Sequence, residues 1–235
     1  MNPEFAKEQE LLEFSAKQLA KLYAEVFGAP PWNEVWRCPQ CNRFYGPEYL
    51  QDTPSPCCFI PLVIAYPEEE TIAYIKEELS QPKAKFKLFY SSDGQLIAFA
   101  WGYEIKNATT LAQKKWPQSE RVQSQVAQAI SEYTNPNLPL YYISEVGVAY
   151  SFRGNGIGFQ LTKDLLDYGT KFLQEPVIFR TNWASPMMKI ATRLQMSQIM
   201  GPKIKIVNGQ IVKTKEIAKF IDEVNPDRTL FIKTP

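Results

Sequence analysis

Six residues past the middle of the chain carry the plainest chemistry: Arg153-Gly154-Asn155-Gly156-Ile157-Gly158. An alternating apolar stretch, Leu140 to Val148, leads into them, and an amphipathic run from Gln160 to Leu173 follows, with Leu161, Leu165, Leu166 and Tyr168 on one face. At a turn from strand to helix, successive backbone N–H groups point the same way, unpaired, at the positive end of the helix dipole. Such a turn is a cradle for phosphate. Glycines let the main chain approach the anion, and Arg153 can add a charge-assisted contact. Three readings compete. A P-loop needs Gly-Lys-Ser/Thr, which does not follow here. A dinucleotide fold places its glycines near the start of a βαβ unit, with an acidic residue about 20 positions on, whereas this loop lies late and follows a hairpin. The third is a glycine-rich turn that binds nothing.

The second constellation is the four cysteines. Cys38-Pro39-Gln40-Cys41 is a CxxC with an internal proline, and Cys57-Cys58 follows after 15 intervening residues. Four thiolates in a tetrahedron would make a closed structural zinc site, and the intervening length suits a zinc ribbon. The adjacent pair departs from the usual second CxxC. Buried reduced thiols, or one bridge with two free thiols, are the alternatives. No helix pattern begins at Cys38, which counts against a redox motif. If zinc binds, it orders a proline-rich segment that has little core of its own.

Absences narrow the chemistry further. The 235 residues contain no histidine. A Ser-His or Cys-His nucleophile pair, a histidine base and every imidazole metal site are thereby excluded. Lys plus Arg is 26 against 25 for Asp plus Glu, a formal net charge of +1. A binder of nucleic acid or of an acidic membrane surface usually shows a basic excess, so neither partner is expected. No apolar run approaches the roughly 18 residues of a membrane span, and the acidic N-terminal sequence does not read as a secretory signal. A cytoplasmic, reducing location is expected, in which the cysteines are not paired as disulfides.

The elements that must position these residues follow from periodicity. Residues 8–27 read as a helix stopped by Gly28, Pro30 and Pro31, and Glu68 to Leu79 as a second. Phe86–Tyr90 and Leu96–Tyr103, separated by Ser92-Asp93-Gly94, read as a hairpin. Lys83, Lys85 and Lys87 alternate with apolar residues, as on the solvated face of an edge strand. Between Asn107 and Pro139 the chain is polar, with one helix capped by Ser119 and carrying Val122, Val126, Ile130 and Tyr133. A strand is expected at Val177–Thr181 and a helix at Met187–Met196. Asn208-Gly209 marks a type I′ hairpin. A last helix is expected near Lys215 to Glu223, before a terminal strand at Thr229–Lys233. No internal repeat is evident. The layout is α/β or α+β, a mixed central sheet covered by helices on both faces.

With the strand, glycine loop and helix in that order, the sequence resembles the GNAT superfamily of acyl-CoA-dependent N-acyltransferases. The family's Gln/Arg-x-x-Gly-x-Gly/Ala pattern is matched by Arg153, Gly156 and Gly158, and Leu22 to Phe27 is similar to the first helix of many members. The resemblance implies a single GNAT-like domain over residues 1–235, with a Cys-rich, zinc-competent insertion at 37–61 and a helical insertion at 107–139. It implies acetyl-CoA as cosubstrate, its diphosphate on the amides of Gly154, Asn155, Gly156, Ile157 and Gly158 beside Arg153. The pantetheine arm would lie along Val146, Gly147 and Val148, with Asn182 a contact past the neighbouring parallel strand; capping is Asn182's alternative role. The expected activity is that of an N-acetyltransferase acting on a primary amine. With no histidine present, Glu145, where many members carry a strand glutamate, is the expected base, and desolvation in an apolar strand would raise its pKa. Pairing with a cation is its alternative role. Many members also carry a tyrosine that protonates the leaving thiolate, and Ala191 stands at that position. The rival reading is therefore a non-catalytic acyl-CoA sensor or scaffold, and a weaker third makes the cysteine insertion a partner-binding module. The acceptor, whether small molecule or peptide, stays open, as does a homodimer.

Overall fold

The computed structural model describes residues 3–223 and 225–235, with side chains from Ser15 onward. In chain order the elements are α1 (Pro3–Gly28), β1 (Trp36–Arg37), β2 (Phe44–Tyr45), β3 (Val63–Ile64), α2 (Glu68–Leu79), β4 (Lys85–Tyr90) and β5 (Leu96–Ile105). There follow α3 (Ala108–Lys115), α4 (Glu120–Ser131), β6 (Leu140–Val148), a 3-10 turn (Tyr150–Phe152), α5 (Ile157–Asp167) and a π-helical turn (Tyr168–Leu173). The chain ends with β7 (Val177–Asn182), α6 (Met187–Arg193), β8 (Ser197–Val207), β9 (Gln210–Ala218) and β10 (Arg228–Lys233). Seven strands form one mixed sheet in the order β4-β5-β6-β7-β10-β8-β9, flanked by helices, and β2-β1-β3 form a second, small sheet. Contacts gather into two compact units. One comprises Met1–Glu78, Leu88–Phe99 and Gly147–Ile157; the other comprises Leu79–Lys87, Ala100–Val146 and Gly158–Pro235.

In the first unit, α1 buries Leu19, Leu22, Tyr23, Val26 and Phe27, at the three- and four-residue steps of one helix face. The Tyr23 ring lies 4.5 Å from Phe27, 5.1 Å from Tyr66 and 5.8 Å from Phe99, centroid to centroid. α2 begins with Glu68, Glu69 and Glu70, carboxylates placed where the helix dipole favours them.

In the second unit, Asn107 Oδ1 accepts from the Thr110 N–H at 2.8 Å and Ser119 Oγ from Val122 N–H at 3.3 Å, so the polar segment holds two capped helices where one was expected. α4 buries Val122, Val126, Ala129 and Ile130 into a core shared with Tyr142, Ile178 and Leu230. Trp116 Nε1 donates to the wholly buried Asp222 at 2.7 Å. Lys83 is exposed, as expected, but it lies just before β4 and is ion-paired: its ammonium meets Glu104 and, at 2.7 Å, the buried Glu175.

The clearest correction lies near the C-terminus. Lys215–Ala218 belongs to β9, not to a helix, and no helix follows before β10 among the described residues. Ile217, Phe220 and Ile221 suggest a helical face, but Ile217 pairs across with Pro202 and Ala218 with Gly201, so long-range pairing overrides local periodicity. The turn that sets this register is the expected one, with Asn208 at φ 49° and Gly209 at φ 78°.

Candidate functional site

β6 and β7 run parallel, with registered pairs Tyr141↔Val177, Tyr142↔Ile178 and Ile143↔Phe179. Both strands continue beyond those pairs, but no further register joins them among the described residues. The burial of β6 changes at the same point: Leu140 to Ile143 are buried, whereas Ser144, Glu145 and Val146 are only partly so. Glu145 therefore sits in β6, partly exposed, two residues past Ile143, the last residue registered with β7.

Beyond β6 the chain makes the 3-10 turn and enters the loop. Gly154 has φ +87° and Gly156 φ +80°, with open space where a side chain would begin. These are left-handed backbone angles that glycine adopts without strain. Within the turn Arg153 N–H donates to Tyr150 O at 3.2 Å, but the amides of Gly154, Asn155 and Gly156 meet no acceptor among the described residues. Ile157 and Gly158 open α5, where the first turn of a helix leaves its N–H groups without partners. The result is a run of open amides at the positive end of an 11-residue helix.

Arg153 has a second role that sequence reasoning missed. Its Nε donates to Val148 O at 3.1 Å and one Nη to Pro30 O at 3.2 Å, so the guanidinium braces the loop against the end of β6 and the segment after α1. Gly147 likewise has a packing reason to be glycine. A Cβ there would stand 2.3 Å from the Phe99 ring, far inside contact distance. Asn182 Oδ1 accepts from Ala184 N–H at 2.8 Å, a local cap that takes one lone pair of that oxygen and leaves the amide NH2 for a ligand. Ala191, at the position where the resemblance expects a tyrosine, is wholly buried in α6.

The four cysteines come together in the first unit. Their Sγ atoms all lie within 4.8 Å of one another, with Cys41 and Cys57 at 3.2 Å. No disulfide joins them. Burial alone would push the Cys38 thiol up, but hydrogen bonds from Ser55 and from the Cys41 and Gln40 amides bring it down to about 6. Burial and the neighbouring thiols push Cys58 up to about 12. Four thiols this close cannot all ionise without a cation to share the charge.

No helix among the described residues is long and apolar enough to cross a membrane. No family model and no curated protein matches the sequence. Solved structures do match. A mosquito arylalkylamine N-acetyltransferase-like protein (5b) superposes with a TM-score of 0.51 at 11% identity, over 94% of this chain and 95% of that one. The Drosophila melanogaster polyamine N-acetyltransferase, which forms N-acetylagmatine, gives 0.50 at 12% identity, over 94% and 96%. The fold is that of the GNAT N-acetyltransferases, as Arg153, Gly156 and Gly158 implied. At these identities the likeness is one of fold, and the site must be argued from its own residues.

Proposed function

We propose that this chain is an N-acetyltransferase that moves an acetyl group from acetyl-CoA to a primary amine. The reading rests on one observation above all: the open amides of Gly154, Asn155 and Gly156 at the start of α5, in a fold shared with N-acetyltransferases. Those amides, with Ile157 and Gly158, would take the coenzyme's diphosphate, and Arg153 would brace them while offering its remaining donors. The pantetheine amides would pair with the backbone of Val146 and Gly147. The Val148 carbonyl is engaged by Arg153, so that residue contributes its side chain. Asn182 would donate through its amide NH2.

The reaction needs a neutral amine. Glu145, partly exposed beyond the last residue paired with β7, would accept the ammonium proton, directly or through a water. The amine nitrogen then attacks the thioester carbonyl and the C–N bond forms, the nitrogen gives up its second proton to solvent, the C–S bond breaks, and the thiolate leaves and is protonated by solvent. The aliphatic Ala191 supplies no acid, which slows the last step without forbidding it, because a thiolate is a good leaving group. The same alanine favours a second reading, an acyl-CoA sensor that binds without turning over.

Glu145→Gln separates the two. An enzyme should retain coenzyme affinity and lose about 10²–10⁴-fold in turnover, the usual contribution of a positioned acid or base. Equal thiol release by both proteins, across a panel of amines, would remove Glu145 from the mechanism; no release from the wild type at any pH would favour the sensor.

A further inference from the structure

Two short stretches of the first unit close in the same way. In the first, Cys38 N–H donates to Arg43 O at 2.9 Å and Asn42 N–H donates back to Cys38 O at 2.9 Å. In the second, Ser55 N–H donates to Ile60 O at 2.8 Å and Phe59 N–H donates back to Ser55 O at 2.9 Å. Each has proline at its second position, Pro39 or Pro56. Each turns left-handed at its fifth, Asn42 at φ 56° and Phe59 at φ 58°. The residues just outside each loop pair antiparallel, Arg37 with Phe44 and Pro54 with Pro61. Position by position, Cys38 corresponds to Ser55, Gln40 to Cys57, and Cys41 to Cys58. The repeat is local and hidden, because the residue that would reveal it, a cysteine at 55, is a serine.

We propose that these loops are the two knuckles of one zinc site, in which Cys38, Cys41, Cys57 and Cys58 bind a single Zn²⁺. Ser55 stands where a second CxxC would begin, and Cys57, two residues on, supplies the fourth thiolate in its place. This accounts for the adjacent cysteine pair that the usual spacing does not explain.

Three observations converge on the metal. Zn–S bonds of about 2.3 Å in a tetrahedron set the sulfurs about 3.8 Å apart. The four Sγ atoms, all within 4.8 Å and with one pair at 3.2 Å, bracket that spacing. Second, the buried Tyr45 hydroxyl has no hydrogen-bond partner among the described residues, yet it stands against Cys57. A thiolate at Cys57 would give that O–H its acceptor, as outer partners do for metal ligands. Third, Ser55 is wholly buried inside the cluster, its Oγ donating to Cys38 Sγ at 3.5 Å and accepting from Cys58 N–H at 3.4 Å. A bare apolar core would have no use for these donors; a set of thiolates does.

Four soft thiolates in tetrahedral reach select zinc over hard cations. Binding replaces four S–H bonds with four S–Zn bonds, releases four protons and leaves a site of net charge −2. With four protein ligands there is no open position, so the ion is structural. It would clip together β1, β2 and β3, strands of two residues each, which have little core to hold them.

The test is a reciprocal exchange in the full chain. Elemental analysis of the purified protein should find one zinc per chain, and mass spectrometry four unpaired thiols. Competition with a chromophoric chelator should show Cys57→Ser weakening zinc by at least about 100-fold, at the top of the range for losing a mere outer partner. Ser55→Cys combined with Cys57→Ser should restore tight binding. Restoration distinguishes the proposal from simple misfolding, since a protein damaged at 57 gains nothing from an unrelated thiol at 55. Iron in place of zinc, a Cys41–Cys57 disulfide, no bound metal, or a double variant as weak as Cys57→Ser would overturn it.

Discussion

Substituting Gly156 probes the loop through its backbone and leaves its surroundings untouched. At φ +80° the residue sits in the left-handed region, and an added Cβ would meet nothing within 4 Å. The cost of Gly156→Val is therefore conformational and not a clash. A non-glycine residue in that region costs about 1–2 kcal/mol, with β-branched side chains at the upper end. Because the loop is exposed, it can relieve that strain by turning its amides away, and the global fold should hardly notice. The population of the anion-competent turn should then fall about 5–30-fold, and the apparent coenzyme affinity should fall with it. Asparagine tolerates left-handed angles far better, so Gly156→Asn should cost only a small part of that. Calorimetric titration with acetyl-CoA reads the affinity, and thermal unfolding checks that the melting temperature moves by only a few degrees. Equal losses for valine and asparagine, or wild-type affinity in Gly156→Val, would refute the reasoning that the backbone angle prepares the site.

Three further outcomes are expected. Gly147→Ala drives a methyl into the Phe99 ring, 2.3 Å away, and should destabilise the protein by about 1–3 kcal/mol in urea unfolding, as overpacking does; Phe99→Leu in the same chain should recover part of it, and strictly additive losses would contradict the contact. Trp116→Phe keeps the ring but removes the indole donor to buried Asp222, at an expected cost of about 1–3 kcal/mol, and a neutral result would show that this hydrogen bond contributes nothing. Chelating a metal from the cysteine cluster should raise hydrogen exchange across residues 37–61 while coenzyme binding survives; simultaneous loss of both would show that the cluster is not merely structural.

The parts of the fold written in short-range pattern were legible. Glu68–Leu79 and Leu140–Val148 have the expected bounds because their periodicity is backed by terminal signals: three glutamates open the one, and Pro139 precedes the other. The glycine loop was legible because the left-handed angles at 154 and 156 demand that residue type. Features set by distant partners were not. β9 looks helical until β8 lies beside it, Gly147 owes its identity to Phe99, and Arg153 braces the carbonyl of Pro30, 123 residues away. The cysteine segment lies between these cases. The CxxC is visible, but its second half is recognisable only from hydrogen bonds that the sequence does not spell out.

The central claim is that main-chain amides between Arg153 and Gly158 hold a diphosphate. Two-dimensional amide NMR of the labelled chain, titrated with acetyl-CoA, addresses it residue by residue. The account predicts that the N–H signals of Gly154, Asn155 and Gly156 move downfield at a common midpoint and exchange more slowly with solvent once the ligand is saturating. Binding that leaves those three signals in place while shifting others, or no binding at millimolar acetyl-CoA, would contradict it.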